Sequence, residues 1–272
     1  MLASINPIAL KLFGLEIHWY AIFIVSGVLL GVWLSSREAV RVGLKGDDVT
    51  DFILWGLPIS IIGARIYYVL FQWSYYKNHL SEIFAIWNGG LAIYGGLIAG
   101  FLTLLVFCYH RFIPVWKFLD VVAPSVILAQ AIGRWGNFVN QEAFGSPVNK
   151  NFLSHTLHLP TFIVENMKID GVYHQPTFLY ESVWNLIGFI LLVTLRRKNR
   201  FFKEGNIFLT YIAWYSFGRF FIEGLRTDSL MLFGGLRVSQ GLSAILFIVA
   251  VVLIIFRTRD KRVIFYQRKE LL

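Results

Sequence analysis

Apolar residues along this chain gather into seven stretches, 19–36, 52–71, 91–109, 118–132, 178–195, 207–222 and 238–256. A helix that crosses a bilayer needs about 20 mostly apolar residues, and each stretch is that long or close to it. The pattern predicts an all-α polytopic membrane protein with seven transmembrane helices. The third and seventh stretches are clean, whereas Asp120, Gln130 and Arg219 interrupt the fourth and sixth. Such interruptions are expected where helices face a shared interior.

Lys and Arg in the connections give the orientation, because cytoplasmic loops carry the excess. The connections 37–49, 110–117 and 196–206 together with the tail from 257 hold 16 of the 25 basic residues, the other set holds 8, and Arg65 lies inside a span. The N-terminus is therefore expected outside and the C-terminus in the cytoplasm. A cleaved signal peptide is not expected, since the first 18 residues offer only Lys11 as a basic region and no small-residue cleavage site. Residues 1–18 read instead as a short external segment at the interface. The chain reads as a single integral membrane domain, 1–272, with one long polar connection, 146–176, forming a small extracytoplasmic cap of short strands.

Composition agrees with this class. Hydrophobic residues make up 57% of the chain and charged ones only 15%, with 9 Trp, 12 Tyr and 25 Phe, which excludes an ordinary soluble domain. The net charge of +9 is mostly cytoplasmic. Contact with anionic membrane lipids accounts for it without a nucleic-acid partner. Cys108, the one cysteine, cannot form an internal disulfide and reads as a core residue. His155 and His158 lack a Cys or carboxylate at ligand spacing, so neither a metal nor a cofactor is called for.

The same count leaves Arg134, Arg219 and Arg226 on the outer side, where basic residues need a separate explanation. In 218–226 the offsets of Arg219, Glu223 and Arg226 place one carboxylate and two guanidiniums on one helical face. That face is either a buried ion-pair triad pinning helices or a seat for an anion. In 133–145 a cation, a carboxylate and several amides crowd the end of the fourth span, and Gln130, Arg134 and Asn137 share a face if the helix persists. Gly133, Gly136 and Gly145 there suggest close backbone approach or a break. An ordinary capped helix end is the plainer alternative. In 87–97 two glycine pairs flank Tyr94, which suits either a helix-packing face or a site.

These residues resemble the bacterial prolipoprotein diacylglyceryl transferase family. Its signature runs Gly-Arg, one position, Gly or Ala, Asn-Phe, an aliphatic residue, Asn, one position, Glu, two positions, Gly, and residues 133–145 satisfy each fixed position. Trp19-Tyr20, Gly63-Ala64-Arg65, the glycine pairs, Pro176-Thr177 with Leu179-Tyr180-Glu181, and Gly218-Arg219 with Glu223 follow in the family's order. The resemblance covers nearly the whole chain.

It implies transfer of the diacylglyceryl group of phosphatidylglycerol to the thiol of a prolipoprotein lipobox cysteine, with release of glycerol phosphate, at the outer leaflet of the bacterial cell membrane. Arg134 and Arg219 are the positions implied for a clamp on the phosphate, a role that suits planar bidentate guanidiniums. Asn137, Asn140, Glu142, Gly145, Glu181, Glu223 and Arg226 are the implied substrate-binding set. The chain departs from many members by carrying Tyr94 where they carry His, and Gln175-Pro176 where they carry His-Pro, with His174 one place earlier. A tyrosine titrates near 10 and is a poor base. Thiolate formation in the positive field of the arginines is therefore expected, with Tyr94 or Tyr20 positioning substrate. A lipid-binding transporter or a noncatalytic membrane scaffold is the competing class. Paired repeats and a midplane site, which a transporter would show, are absent from the pattern.

Overall fold

The computed structural model describes residues 5–12, 14–198, 201–227 and 237–266, so the ends of the predicted external segment and cytoplasmic tail lie outside the described residues. Two short strands come first, β1 (Ile8–Leu12) and β2 (Leu15–His18), paired antiparallel and running straight into α1 (Trp19–Arg41). The helices α2 (Gly46–Phe71), α4 (Ile93–His110), α5 (Val115–Val139), α7 (Thr177–Leu195), α8 (Asn206–Glu223) and α9 (Val238–Arg259) follow. Short elements fill two connections: α3 (Trp73–Tyr76) before α4, and α6 (Thr161–Asn166) with β3 (Lys168–Ile169) and β4 (Val172–Tyr173) before α7. All seven predicted stretches are helical. Most extend past their apolar windows, by seven residues at most at the end of α5, whereas α4 begins two residues inside its window.

Six described helices, α1, α2, α4, α5, α7 and α9, are long and apolar enough to cross a bilayer, and the chain is a polytopic helical membrane protein. The sixth predicted span, α8, has 18 residues but includes Asn206, Arg219 and Glu223, and it falls short of that apolarity.

The chain divides into two compact units, one of residues 1–34 and 120–272, the other of 35–119. In the smaller unit the glycines of the third stretch pack α4 onto α2. A side chain at Gly95 would collide with Tyr67 and the carbonyl of Gly63, and one at Gly100 would lie 2.7 Å from Ser60 Oγ. The Ala92 N–H donates to the Ala64 carbonyl at 3.1 Å, closing the seam. Small residues thus buy close approach, the driving term for helix pairs in lipid. At the opposite end Arg111 pairs with Asp51 and lies 3.6 Å from Asp48, and Cys108 is a buried core residue.

In the larger unit α5 is central, with 56% of its apolar window buried, and its polar residues have partners. Asp120 accepts from the N–H groups of Gly205 and Phe208 at 2.5 and 2.8 Å, satisfying the start of α8 where orphan donors would otherwise be buried. Gln130 donates to Tyr211 at 3.1 Å.

The α7–α8 seam rests on an indole pair. Trp184 Nε1 donates to the Trp214 carbonyl at 2.9 Å, and Trp214 Nε1 donates to the Trp184 carbonyl at 3.0 Å. The rings stack with centroids 4.3 Å apart. Each carbonyl is reachable because the residue four positions on is glycine, Gly188 or Gly218, where a Cβ would strike the opposing indole.

The connection 146–176 is more helical than predicted. Leu153, Ile163, Val164 and Met167 are buried against Phe138, Val139 and Phe178, and the 163/164/167 spacing puts two residues of α6 and its C-cap Met167 on one face. Only β3 and β4 realise the expected strands, turning at Asp170-Gly171 with both residues at positive φ.

Candidate active site

The predicted site assembles at the end of α5, within the larger unit. The helix persists through Arg134 and Asn137 to Val139, so the face shared with Gln130 forms as expected. Gly136 is required there: a Cβ would lie 2.5 Å from the ring of Tyr20, which packs directly on the α5 backbone. Gly133 meets nothing within 4 Å, so the close approach expected at that glycine does not occur. Beyond Val139 the chain turns sharply, with Gln141 at φ 51° and Ala143 at φ 58°. Such left-handed residues are strained for side chains with Cβ and are held by surrounding bonds. Here Thr177 Oγ1 donates to the Ala143 carbonyl at 2.5 Å, and the Glu142 N–H donates to the Asn137 carbonyl at 3.0 Å.

Residues 144–146 then run between two other segments. The Gly145 N–H donates to the Gln175 carbonyl, the Gln175 N–H to that of Ser146 and the Ser146 N–H to that of Leu225, all at 3.0–3.1 Å. Gly145 pairs with Arg226 as an isolated bridge. A side chain at Gly145 would press on Gln175 at 2.8 Å and Thr177 at 3.0 Å. The signature glycine therefore joins the α5 end, the α7 start and the α8 end by backbone alone.

Side chains from those three helices meet there. Glu181 of α7 receives Arg134 Nε on one carboxylate oxygen and Arg219 Nη1 on the other. Arg219 Nη2 lies 2.5 Å from Glu223 Oε2, and Arg226 Nη1 lies 3.7 Å from the same oxygen. The carboxylate side chains are 5 and 7% exposed and the arginine side chains 15–19%, so the arginines are the more open partners of the cluster. Buried charges of this kind persist only when paired and hydrogen-bonded.

The pairing leaves donors over. A guanidinium carries five N–H groups. Arg134 pairs with Glu181 through Nε and donates from Nη1 to Asn137 at 3.4 Å, and Arg219 donates from Nη1 to Glu181 and sets Nη2 against Glu223 as an ion pair, so among the described residues neither is saturated. Asn137 in turn donates to Glu142 at 2.8 Å. Two oriented guanidiniums with spare donors are suited to a tetrahedral oxyanion such as a phosphate.

Seven predicted residues thus come together: Arg134, Asn137, Glu142, Glu181, Arg219, Glu223 and Arg226. Gly145 joins through its backbone and Tyr20 through its ring on Gly136. Asn140 is exposed and its side chain makes no hydrogen bond among the described residues. Tyr94 stands on the first turn of α4 in the other unit, 41% exposed. The role of Glu181 as the acceptor shared by two arginines, 47 and 38 positions away in sequence, has no local signature. Beside the cluster lies a largely apolar groove of about 450 Å³ lined by Phe23, Leu128, Ala131, Ile132, Trp135, Ser182 and Leu186. Its walls are the turns of α5 and α7 next to Arg134 and Glu181, together with α1.

A profile described as prolipoprotein diacylglyceryl transferase matches residues 7–256, which include every residue of the cluster. The chain belongs to that family. It is 64% identical over 270 residues to the phosphatidylglycerol–prolipoprotein diacylglyceryl transferase of Enterococcus faecalis, covering 99% of this chain and 97% of the relative. Identity to the transferase of the same name from Pediococcus pentosaceus is 54% over 261 residues, 96% and 93% of the two chains. For that of Streptococcus equi subsp. equi it is 57% over 263 residues, 97% and 99% of the two chains. Within the prolipoprotein diacylglyceryl transferases the signature at 133–145 is thus accompanied here by full-length similarity.

Proposed function

We propose that this chain transfers the diacylglyceryl group of phosphatidylglycerol to the cysteine thiol of a prolipoprotein lipobox, releasing glycerol phosphate. The observation that carries the reading is the pair of unsaturated guanidiniums, Arg134 and Arg219, aligned by one shared carboxylate in a protein of this family. Cleavage of the glyceryl carbon–oxygen bond leaves charge on phosphate, and fixed donors in a site of low dielectric stabilise it as it develops. Glu181 and Glu223 orient the guanidiniums, Asn137 and Glu142 hold Arg134 or the glycerol hydroxyls, and the apolar groove receives an acyl chain. The nucleophile belongs to the second substrate, so no Ser or Cys of this chain is needed. Tyr20 lines the α5 end, and for Tyr94 the family resemblance alone supports contact with substrate.

The reading includes one integral membrane domain of seven spans with the N-terminus outside, the 146–176 cap extracytoplasmic and the site at the outer leaflet of the bacterial cell membrane. A spanning α8 is physically reasonable because its polar groups are matched by Gln130 of α5 and Glu181 of α7. The test mixes membranes holding the chain with phosphatidylglycerol labelled in its acyl chains and a lipobox peptide. Label on the peptide cysteine is expected. Label on neither peptide nor any thiol would leave the transporter or scaffold class standing.

A further inference from the structure

His174 ends the β3–β4 hairpin next to the signature turn. Its Nδ1 lies 2.8 Å from the Gly145 carbonyl, and its ring meets that of Phe144 with centroids 4.5 Å apart. A carbonyl oxygen only accepts, so the neutral ring carries its proton on Nδ1 and presents a lone pair at Nε2. Among the described residues Nε2 makes no hydrogen bond, and the side chain is partly exposed. The backbone is fixed as well: the His174 N–H donates to the Met167 carbonyl at 3.0 Å and His174 pairs with Pro147. An oriented imidazole with a fixed tautomer and an open acceptor therefore sits on the carbonyl of Gly145, whose backbone pairs with Arg226.

We infer that His174 Nε2 accepts the proton of the substrate thiol, which makes it the general base of this chain. The inference rests on the proposed transferase reading and supplies what that reading lacks, since the arginine field stabilises a thiolate without removing its proton. In the step, the S–H bond breaks with its proton passing to Nε2. A sulfur electron pair forms the bond to the glyceryl carbon. The carbon–oxygen bond breaks with its pair going to the phosphate oxygen held by the arginines. The imidazolium then returns its proton to the departing glycerol phosphate or to water, so the ring is unchanged over the cycle. The charged and titratable groups on the segments that bond to His174, stack on it or pair with Gly145 are Glu142, Lys150, Glu165, Lys168, Asp170, Tyr173, Glu223 and Arg226. Lys150 and Glu165 pair with each other at 2.6 Å, and Tyr173 Oη donates to Glu165 at 3.5 Å.

Asparagine separates the two roles of the ring, because its side-chain amide can keep the hydrogen bond to Gly145 while offering nothing at Nε2. Transfer of labelled diacylglyceryl from phosphatidylglycerol to a lipobox peptide is followed from pH 6 to 9 for the parent, His174→Asn and His174→Ala. At neutral pH, kcat/KM for His174→Asn is expected to fall by about 10²-fold or more, the usual worth of a general base. The loss narrows as the pH approaches the free thiol value of about 8.5. Added imidazole partly restores His174→Ala. A His174→Asn enzyme with the parent's rate and pH profile overturns the inference, as does a loss of equal size at every pH with no imidazole rescue, which marks a purely structural ring. A parent that labels no peptide overturns the transferase reading itself.

Discussion

Arg65 and the Arg134–Arg219 pair are shielded guanidiniums on apolar helices, and they are satisfied in opposite ways. Arg65 is 6% exposed and its hydrogen-bond acceptors among the described residues are all carbonyls rather than carboxylates. Its Nε donates to the Ile83 carbonyl, Nη1 to those of Gly89 and Gly90, and Nη2 to those of Glu82 and Ala85, at 2.6–3.3 Å. The rings of Tyr68 and Tyr76 lie 5.9 and 5.3 Å from its carbon. All five donors are spent on one loop. Arg134 and Arg219 are instead backed by carboxylates and keep donors in reserve. A saturated guanidinium holds a chain in place, whereas an unsaturated one aligned from behind is ready for an anion. Charge alone does not tell the two apart.

The contrast is broken most directly by Arg→Lys substitutions. A lysine keeps the charge but loses the planar fork. Arg134→Lys and Arg219→Lys are expected to lower kcat/KM by about 10²–10³-fold, the worth of a preorganised anion donor, while shifting thermal stability little. Parent-like transfer rates in either variant would mean that the spare donors have no task. Glu181→Gln sharpens the point, since both arginines lose their shared anionic acceptor while shape is kept. Misaimed guanidiniums should cost up to about 10²-fold in kcat, with a smaller change in KM.

Arg65→Gln should behave differently. It leaves several buried carbonyls unpaired, for a loss of roughly 3 kcal/mol seen in the thermal midpoint in detergent, and faster proteolysis within 80–90. Transfer well below the midpoint should stay within a few-fold of the parent. An activity collapse at parental stability would remove the distinction.

The smallest effect belongs to the exposed pair in the cap. The Lys150 hydrogen bond holds Glu165 below its ordinary value near 4.5 and raises Lys150 above 10.5. The Glu165 contribution is therefore fully present above the ordinary carboxylate value and lost as pH falls through the depressed one. The Lys150 contribution is lost as pH rises through the elevated amine value. Melting followed from pH 7 to 3 should show a smaller acid-induced drop for Glu165→Gln than for the parent.

Much of this was legible in the sequence, for physical reasons. Apolar length reflects the bilayer itself, so each of the seven stretches is found as a helix, six of them long and apolar enough to span. The α8 stretch is ambiguous because Arg219 and Glu223, the residues that matter to the site, are those that lower its apolarity. The signature and the Arg219/Glu223/Arg226 spacing are local and could be read directly. The bridge through Glu181 joins three helices, and the cage around Arg65 is built from carbonyls, which every residue possesses. Neither leaves a mark on residue identity. The cap holds a helix where its β-branched residues favour strands, because Ile163, Val164 and Met167 are buried with Phe138, Val139 and Phe178.

The reciprocal clasp of Trp184 and Trp214 has an optical consequence. Two indoles stacked at 4.3 Å with planes 12° apart must couple their electronic transitions, giving a paired band in circular dichroism that neither ring has alone. Glu181 lies one helical turn before one indole, and Arg219 lies little more than one turn after the other. Any sliding of α7 on α8 that disturbs the shared carboxylate would therefore also detune that band. The native chain carries its own spectroscopic gauge of whether the proposed anion seat stays assembled.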